Sequence, residues 1–314
     1  MALITRDNAA ALIPEDAARE IIKTVPEMSA VMQLARRLPN MSRNQRRMPV
    51  MSALATAAFV SGDTGQKTTS NVEWTNKYLN AEELAVIVPI PEAVLDDVDY
   101  DIWGEVQPSI AEAIGQAFDA AVLLGTNAPT SWPDDIVTAA TAAGNTVTLG
   151  AAGGDLYDDI MGENGTIAQV EADGFMVNGH LGDLTMRAKL RGLRGDDGHP
   201  IFVRTMQGMT AYELDGNPTA FPKNGGTNPA TALMFSGDWS QLVYSIRQDL
   251  TYKIFDTGVI QDTDDSILYN LLQDDMVALR AVIRLAWQLP NPINRVQAVE
   301  ESRYPFSVLL PAGA

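Results

Sequence analysis

The chain has 314 residues, a net charge of −18 and no cysteine, with 46% hydrophobic against 20% charged residues. That length and balance support a sizeable buried core, and the missing cysteine excludes a disulfide framework, a thiolate metal site and a cysteine nucleophile. No apolar run approaches the roughly 18 residues that span a bilayer, and charges scattered through the first twenty residues rule out a signal-peptide core, which points to synthesis in the cytosol with no membrane partner.

The charge is uneven: residues 1–49 carry net +3 and the rest −21. "RRLPNMSRNQRR" holds Arg36, Arg37, Arg43, Arg46 and Arg47 with no acid among them. A basic arm on an acidic body suits docking on an acidic neighbour or on a polyanion. The same pattern also fits an exposed basic turn with no partner. Upstream, Pro14 sits at a helix start with Glu15 and Asp16 in its first turn, and Pro26 divides the segment into two short helices. The segment holds too little apolar surface for a core of its own, so it must lie along something else.

From Met48 to Pro91 two extended stretches, "MPVMSALATAAFV" and "VEWTNKYLNAEELAVIVPIP", flank the polar tip "SGDTGQKTTSN". The tip resembles a phosphate-binding loop around Lys67, but Gln66 stands where that loop needs glycine, and a strand-like "VEWT" containing Trp74 follows instead of a helix. The reading is a mobile hairpin tip. At about 3.3 Å per residue each arm reaches roughly 40 Å. A lone hairpin is marginal in water, so this one should gain order on another subunit, which points to assembly.

"DYDIWGEVQPSIAEAIGQAFDAAVLLGT" is the clearest helix. Ile102, Val106, Ile110, Ile114, Phe118 and Val122 recur every fourth residue, giving a core-facing stripe. Gly125 ends it, and Pro108 marks a kink or a late start. Residues 127–150 read as connection. A helix broken at Gly162 or Gly165 follows, then a short buried strand, then a helix over "LTMRAKLRGL" closed by a Gly/Asp turn. Asp215–Pro218 forms a tight turn, and residues 223–229 a flexible loop. Strands flank the Gly237–Asp238 turn. "MVALRAVIRLAWQL" is a long strand with Val277, Leu279, Ala281, Ile283 and Leu285 on one face and Arg280 and Arg284 on the other. A final strand covers "YPFSVLL". The whole reads as α+β.

Conventional active-site chemistry is missing. His180 and His199 lie in Gly/Asp-rich stretches that read as turns. The paired aspartates are spread among turns and helix ends, where Asp is favoured locally. "DVDYD" from Asp97 lacks the glycine and closing glutamate of a calcium loop, and neither a nucleophile elbow nor HExxH occurs. No catalytic residue, cofactor or metal is expected.

The order of parts, namely basic arm, polar-tipped hairpin, amphipathic spine helix, α+β domain and late Arg-bearing strand, resembles the HK97-like major capsid proteins of tailed double-stranded DNA bacteriophages. "FDAAVLLGT", "LRGLRGDDGHPIF", "LDGNPTAF", "GDWSQLVYSIRQDLTYKI" and "DDMVALRAVIRLAWQL" carry the local likeness. The resemblance implies an N-arm over 1–47, an extended loop over 48–89, peripheral-domain segments over 90–130 and 255–293, an axial domain over 131–254, and a C-terminal strand over 294–314 returning to it. It also implies self-assembly as hexamers and pentamers into an icosahedral shell around the packaged genome, in the virion after assembly in host cytoplasm. Portal, scaffolding and decoration proteins would be the other partners. Some members carry an N-terminal scaffolding segment that is later removed, and here the chain opens directly on the arm. Some members join an extended-loop Lys to an Asn of another subunit, which here would bring Lys67 to Asn291 or Asn294. On this reading Lys67, Trp74, the five arginines of the arm, Arg280 and Arg284 are assembly residues. Two alternatives remain: an encapsulin-type compartment of the same fold, and a nucleotide-binding or acid/base enzyme.

Overall fold

The computed structural model describes residues 29–60, 65–97, 102–151, 155–193, 213–262 and 264–313. The helix start at Pro14, the hairpin tip at Ser61–Thr64, the calcium-like run beyond Asp97 and the turn holding Asp196, Asp197 and His199 lie outside them.

Two mixed sheets organise the chain. The first has four strands in the order β1 (Arg36–Arg37), β10 (Val243–Phe255), β13 (Met276–Gln288) and β4 (Glu82–Pro91). The second has six, in the order β5 (Thr146–Thr148), β14 (Phe306–Leu310), β9 (Met234–Gly237), β6 (Gly179–Gly182), β8 (Asn217–Ala220) and β7 (Glu213–Leu214). Two separate hairpins, β2 (Gln45–Ala53) with β3 (Glu73–Asn80) and β11 (Val259–Gln261) with β12 (Ile267–Asn270), stand apart from both. The helices are α1 (Ala30–Leu34), α2 (Glu92–Asp97), α3 (Ile102–Leu124), α4 (Ile136–Ala143), α5 (Leu156–Met161), α6 (Thr166–Ala172) and α7 (Met186–Gly192).

The spine α3 runs unbroken through Pro108 from Ile102, so a late start does not occur. Ile110, Ile114, Phe118 and Val122 are buried, as the fourfold spacing requires,. They meet Leu279, Ala281, Ile283 and Leu285 of β13 in one core that continues to Trp239, Phe306 and Val308 of the second sheet. Trp132 stands edge-on to both Phe118 and Trp287, at centroid distances of 6.0 and 6.5 Å, a favoured aromatic geometry. Gly125 closes the helix at φ +69, where a side chain is strained. A second core under the six-stranded sheet gathers Ile160, Val170, Met186, Leu190, Met234 and Leu309.

Several expectations change. The stretch 127–150 is not mere connection. Asp135 accepts from Thr138 N at 3.0 Å and Gly144 caps at φ +84, so eight residues of Ala, Thr and β-branched type form α4, with Ile136 and Ala140 buried,. The second hairpin arm is two strands. β3 pairs with β2, and after a buried Ala81 the chain passes into β4, which pairs with β13. The paired hairpin is therefore only nine against eight residues, about 30 Å, and residues 54–60 carry no strand. Asn224 in the supposedly flexible loop is buried and donates to Asp119 at 2.7 Å, while Thr227 donates to Asp183 at 2.8 Å. That loop is pinned. Helix breaks at both Gly162 and Gly165 occur as read.

His180 is in no turn: it is fully buried in β6, with Nδ1 2.9 Å from Ser236 Oγ. Burial lowers its pKa from 6.5 to about 4, against smaller opposing effects from the Leu214 backbone and Asp215. The folded state therefore holds it neutral while the unfolded state protonates near 6.5. Its stabilising contribution is complete above that pH and is lost as pH falls toward 4. Urea unfolding should show a loss of roughly 2–3 kcal/mol from this residue between pH 7.5 and 4.5. The pH dependence should be flatter by that amount in His180→Gln. An unchanged pH slope in the variant would place the acid sensitivity elsewhere.

Candidate assembly surfaces

The arm is strapped to the edge of the four-stranded sheet. β1 pairs with β10 in parallel, and Arg36 N, Leu38 N and Met41 N donate to the carbonyls of Leu242, Tyr244 and Ile246 at 2.8 to 2.9 Å. Backbone bonding thus holds the segment while its guanidinium groups point outward. Arg36, Arg37, Arg43 and Arg47 are exposed and Arg46 is half-buried. Arg37 donates to Asn40 Oδ1 at 3.1 Å and Arg46 to the Pro39 carbonyl at 3.0 Å. Among the described residues no ion pair engages any of the five, so their charge faces outward.

The hairpin is anchored at its root and supported along one face. Ala81 N donates to Asn44 O at 2.8 Å, Trp132 Nε1 to Asn80 O at 3.0 Å and Gln288 Nε2 to Tyr78 O at 2.9 Å. Leu79 is buried there with Met41 and Ala286. Farther out, Ile293 N reaches Met51 O at 3.3 Å, Arg295 reaches Ala55 O at 2.9 Å and Lys77 pairs with Glu300 at 2.7 Å. The segment giving this support is itself rigid. Arg303, buried, donates to Asn291 O at 3.0 Å, Asn291 Oδ1 at 3.1 Å and Gln297 O at 2.9 Å. The opposite hairpin face is bare: Arg47 lies across from Tyr78, and Met51 across from Trp74, which is 63% exposed. Trp, Tyr, Met and Arg are the residue types enriched at protein interfaces.

Lys67 is exposed and is followed by β3 rather than by a helix, so its surroundings are not those of a phosphate-binding loop. The amides of Asn291 and Asn294, candidates for a bond to Lys67, are both committed within the chain. Asn291 Nδ2 donates to Arg303 O at 2.7 Å and Asn294 Nδ2 to Asp173 O at 2.6 Å. Arg284 pairs across strands with Glu83, its Nε and Nη2 donating to Oε2 at 2.8 and 2.5 Å. Arg280, two pairs along the same face, instead lies over the Phe255 ring at 4.8 Å, a cation–π contact. The structure thus brings Arg280 and Arg284 together with Lys253 around one cavity of about 320 Å³, and leaves them apart from the arm.

Sequence reasoning missed Asp119. It sits on α3, almost wholly buried, and accepts from Ser29 Oγ, from Ala30 N at 2.8 Å, from Val31 N at 3.2 Å and from Asn224 Nδ2 at 2.7 Å. Burial pushes its carboxyl pKa up, while the bonds from Ser29, Asn224, Ala30 and Val31 pull it back,. The carboxylate ties the start of α1, and so the root of the arm, to the spine. The signal was a lone acid in "QAFDAAVLL", between the apolar Phe118 and Ala120–Leu124. Asp119→Ala leaves several buried donors without an acceptor and should cost on the order of 2–4 kcal/mol, read by chemical denaturation. Proteolysis near residue 29 should quicken in parallel. A loss under about 0.5 kcal/mol would mean that the tie carries no stability.

No helix among the described residues is long and apolar enough to cross a membrane, and among them no group of three or more His, Cys, Asp or Glu is placed to hold a metal ion. Comparison with known proteins agrees with the geometry. The family model described as "Phage capsid family" matches residues 9–297. The major capsid protein of Staphylococcus phage 80alpha is 28% identical over 274 residues, 86% of this chain and 79% of that protein. A solved chain from Microbacterium phage Oxtober96 superposes with a TM-score of 0.85 at 36% identity, covering 99% of this chain and 100% of the other. One from Mycobacterium phage Bobi does so at 0.84 and 31%, with full coverage of both. These relatives favour a phage shell over an enzyme-enclosing compartment. The chain belongs to the phage capsid family, as a major capsid protein of the HK97-like fold.

Proposed function

We propose that this chain assembles as hexamers and pentamers into an icosahedral shell around packaged double-stranded DNA, without catalytic activity of its own. The observation that carries the reading is a chain with two well-packed cores whose hairpin β2–β3 buries its root and leaves an aromatic face bare. A hairpin of that size is not stable by itself in water. Its exposed Trp74, Tyr78 and Met51 make sense as surface that a neighbouring subunit covers.

In domain terms, the spine and the four-stranded sheet form the peripheral domain, the six-stranded sheet the axial domain, and β2–β3 the extended loop. Since β10 starts at Val243 within the peripheral sheet, the axial domain gives way nearer residue 243 than 254. Arg36, Arg37, Arg43, Arg46 and Arg47 meet an acidic neighbour rather than the genome, because the protein that surrounds them in a shell carries the remaining −21 of charge,. Assembly takes place in the host cytoplasm, with portal and scaffolding proteins as further partners and a decoration protein on the outside.

Expression alone and with a scaffold, followed by size-exclusion chromatography and negative-stain microscopy, tests this. Closed particles or capsomer rings are expected. Nucleic acid inside particles made during infection separates a genome shell from an enzyme compartment. A monomer under every condition would overturn the reading. Lys67→Ala should leave particle yield within about twofold, a change worth under 1 kcal/mol, and neither protein should bind ATP.

A further inference from the structure

We propose that the outer face of the four-stranded sheet holds a binding site for a free phosphate anion, formed by Lys253, Arg280 and Arg284. The site stands apart from the arm and from the β2–β3 hairpin, and it does not depend on the shell reading.

β13 sends alternate side chains to opposite faces. Leu279, Ala281, Ile283 and Leu285 enter the core with the spine, so Arg280, Val282 and Arg284 line the other face. The strand register sets their neighbours. Lys253 of β10 lies directly opposite Arg280, Thr251 opposite Val282, and Glu83 of β4 opposite Arg284. Lys253 and Thr251 are exposed, and Ile87, across from Arg280, is 47% exposed, so the face is open to solvent. Between these side chains lies the cavity of about 320 Å³.

The charge of this cavity is out of balance. Three cations and one carboxylate line it, net +2, on a chain of net −18. The carboxylate is taken up by Arg284 through Nε and Nη2. Lys253 and Arg280 are left facing each other across the strands, and like charges directly opposed weaken a sheet. Neither makes an ion pair among the described residues, and Arg280, which lies over the Phe255 ring, has its Nε buried without a hydrogen-bond partner. The neutral groups are already engaged with one another. Gln248 Nε2 donates to Thr251 Oγ1 at 3.0 Å, and Thr251 Oγ1 to the Val282 carbonyl at 3.3 Å. What remains is a set of donors that lacks an acceptor, because Lys and Arg side chains only donate. An acceptor-only anion completes it. The net charge of the lining selects a dianion over a single carboxylate. Guanidinium groups give paired hydrogen bonds and an ammonium gives a point charge, the combination that recognises phosphate. A bound phosphate also removes the repulsion between Lys253 and Arg280, so occupancy stabilises the folded sheet.

Calorimetric titration of the full chain with inorganic phosphate, in chloride buffer of matched ionic strength, tests the site. Saturable binding of about one anion per chain is expected, with a Kd of about 1 mM or tighter. Lys253→Met and Arg280→Met should each weaken it about tenfold or more. Glu83→Gln should strengthen it about threefold, because loss of the carboxylate raises the positive potential of the cavity. A Glu83 that serves only to hold Arg284 predicts no such gain. Arg43→Met, in the separate cavity of the arm, should leave the affinity unchanged.

Thermal unfolding supplies a second readout. Phosphate stabilises many proteins through exclusion from their surfaces, so the comparison runs between variants. In chloride, Lys253→Met should be at least as stable as the parent, since one of two opposed charges is gone. Phosphate should then raise the unfolding midpoint of the parent but move that of Lys253→Met much less. Equal shifts in both chains, no saturable binding, or an affinity that falls equally in Arg43→Met would each overturn the site. Assembly lost in Lys253→Met and Arg280→Met with no phosphate bound by the parent would assign the face to a carboxylate of a neighbouring copy, sinking the phosphate site and leaving the shell reading intact.

Discussion

Everything in this fold is referred to the register of β13. Both of its neighbours are locked to it, β4 without a slip from Met276 opposite Pro91 to Leu285 opposite Glu82, and β10 with irregularities confined to the region between Ile246 and Thr251. A shift by one residue would turn Leu279, Ala281, Ile283 and Leu285 away from the spine and put Arg280 and Arg284 into the core. The aliphatic run therefore fixes which face meets α3, and the arginines close off the alternative. Once that register is set, the positions of the two hairpins and of the loop from Asn291 to Arg303 follow from the strand ends, and that of the arm from the pairing of β1 with β10.

Buried polar groups then determine where the less regular segments lie. Asp119 gathers Ser29, Ala30, Val31 and Asn224 at one point of the spine, and Arg303 gathers the carbonyls of the segment that supports the hairpin. Asp173 does the same at the end of α6, accepting from Asn145 Nδ2 at 2.6 Å and from Tyr304 N at 2.9 Å where the chain enters β5 and β14 of the six-stranded sheet. A buried charge is costly unless its hydrogen bonds are made, so each such group permits essentially one arrangement of the chain around it. Apolar packing alone would tolerate several.

Periodicity made the regular parts legible in the sequence. The spine stripe from Ile110 to Val122, the alternation of β13 and the glycine breaks at Gly162 and Gly165 all follow from one side chain's spacing to the next. What was missed has another origin. α4 was hidden because its Ala- and Thr-rich run has little apolar contrast, and only Asp135 and Gly144 mark its ends. The division between β3 and β4 was invisible because both read as one extended stretch, and only the choice of partner strand separates them. His180 sits among glycines that suggest a turn, yet those glycines let β6 pack closely against Trp239 and Phe221. The roles of Asp119, Asn224 and Arg303 depend on contacts across 88 to 105 residues in the first two cases, and on a loop's folding back on itself in the third. Local spacing carries no trace of either.

The division of labour between rigid core and unfinished surface has a physical rationale for a shell. Subunits in an icosahedral shell occupy non-identical surroundings, so the parts that touch neighbours must adapt while the body does not. Here the aromatic and apolar groups that a monomer leaves uncovered, Trp74 and Tyr78 on one hairpin and Ile267 and Leu272 on the other, are carried on two-stranded ribbons outside both main sheets. Such ribbons bend at little expense to the cores, because they belong to neither main sheet and neither main core includes their side chains. The same surfaces, exposed on a free subunit, invite indiscriminate association. The strong acidity of the body opposes that by repulsion between copies, and only a contact that places the basic arm against an acidic patch escapes the repulsion. Charge asymmetry thus gives order to an encounter that apolar surface alone would leave unspecific.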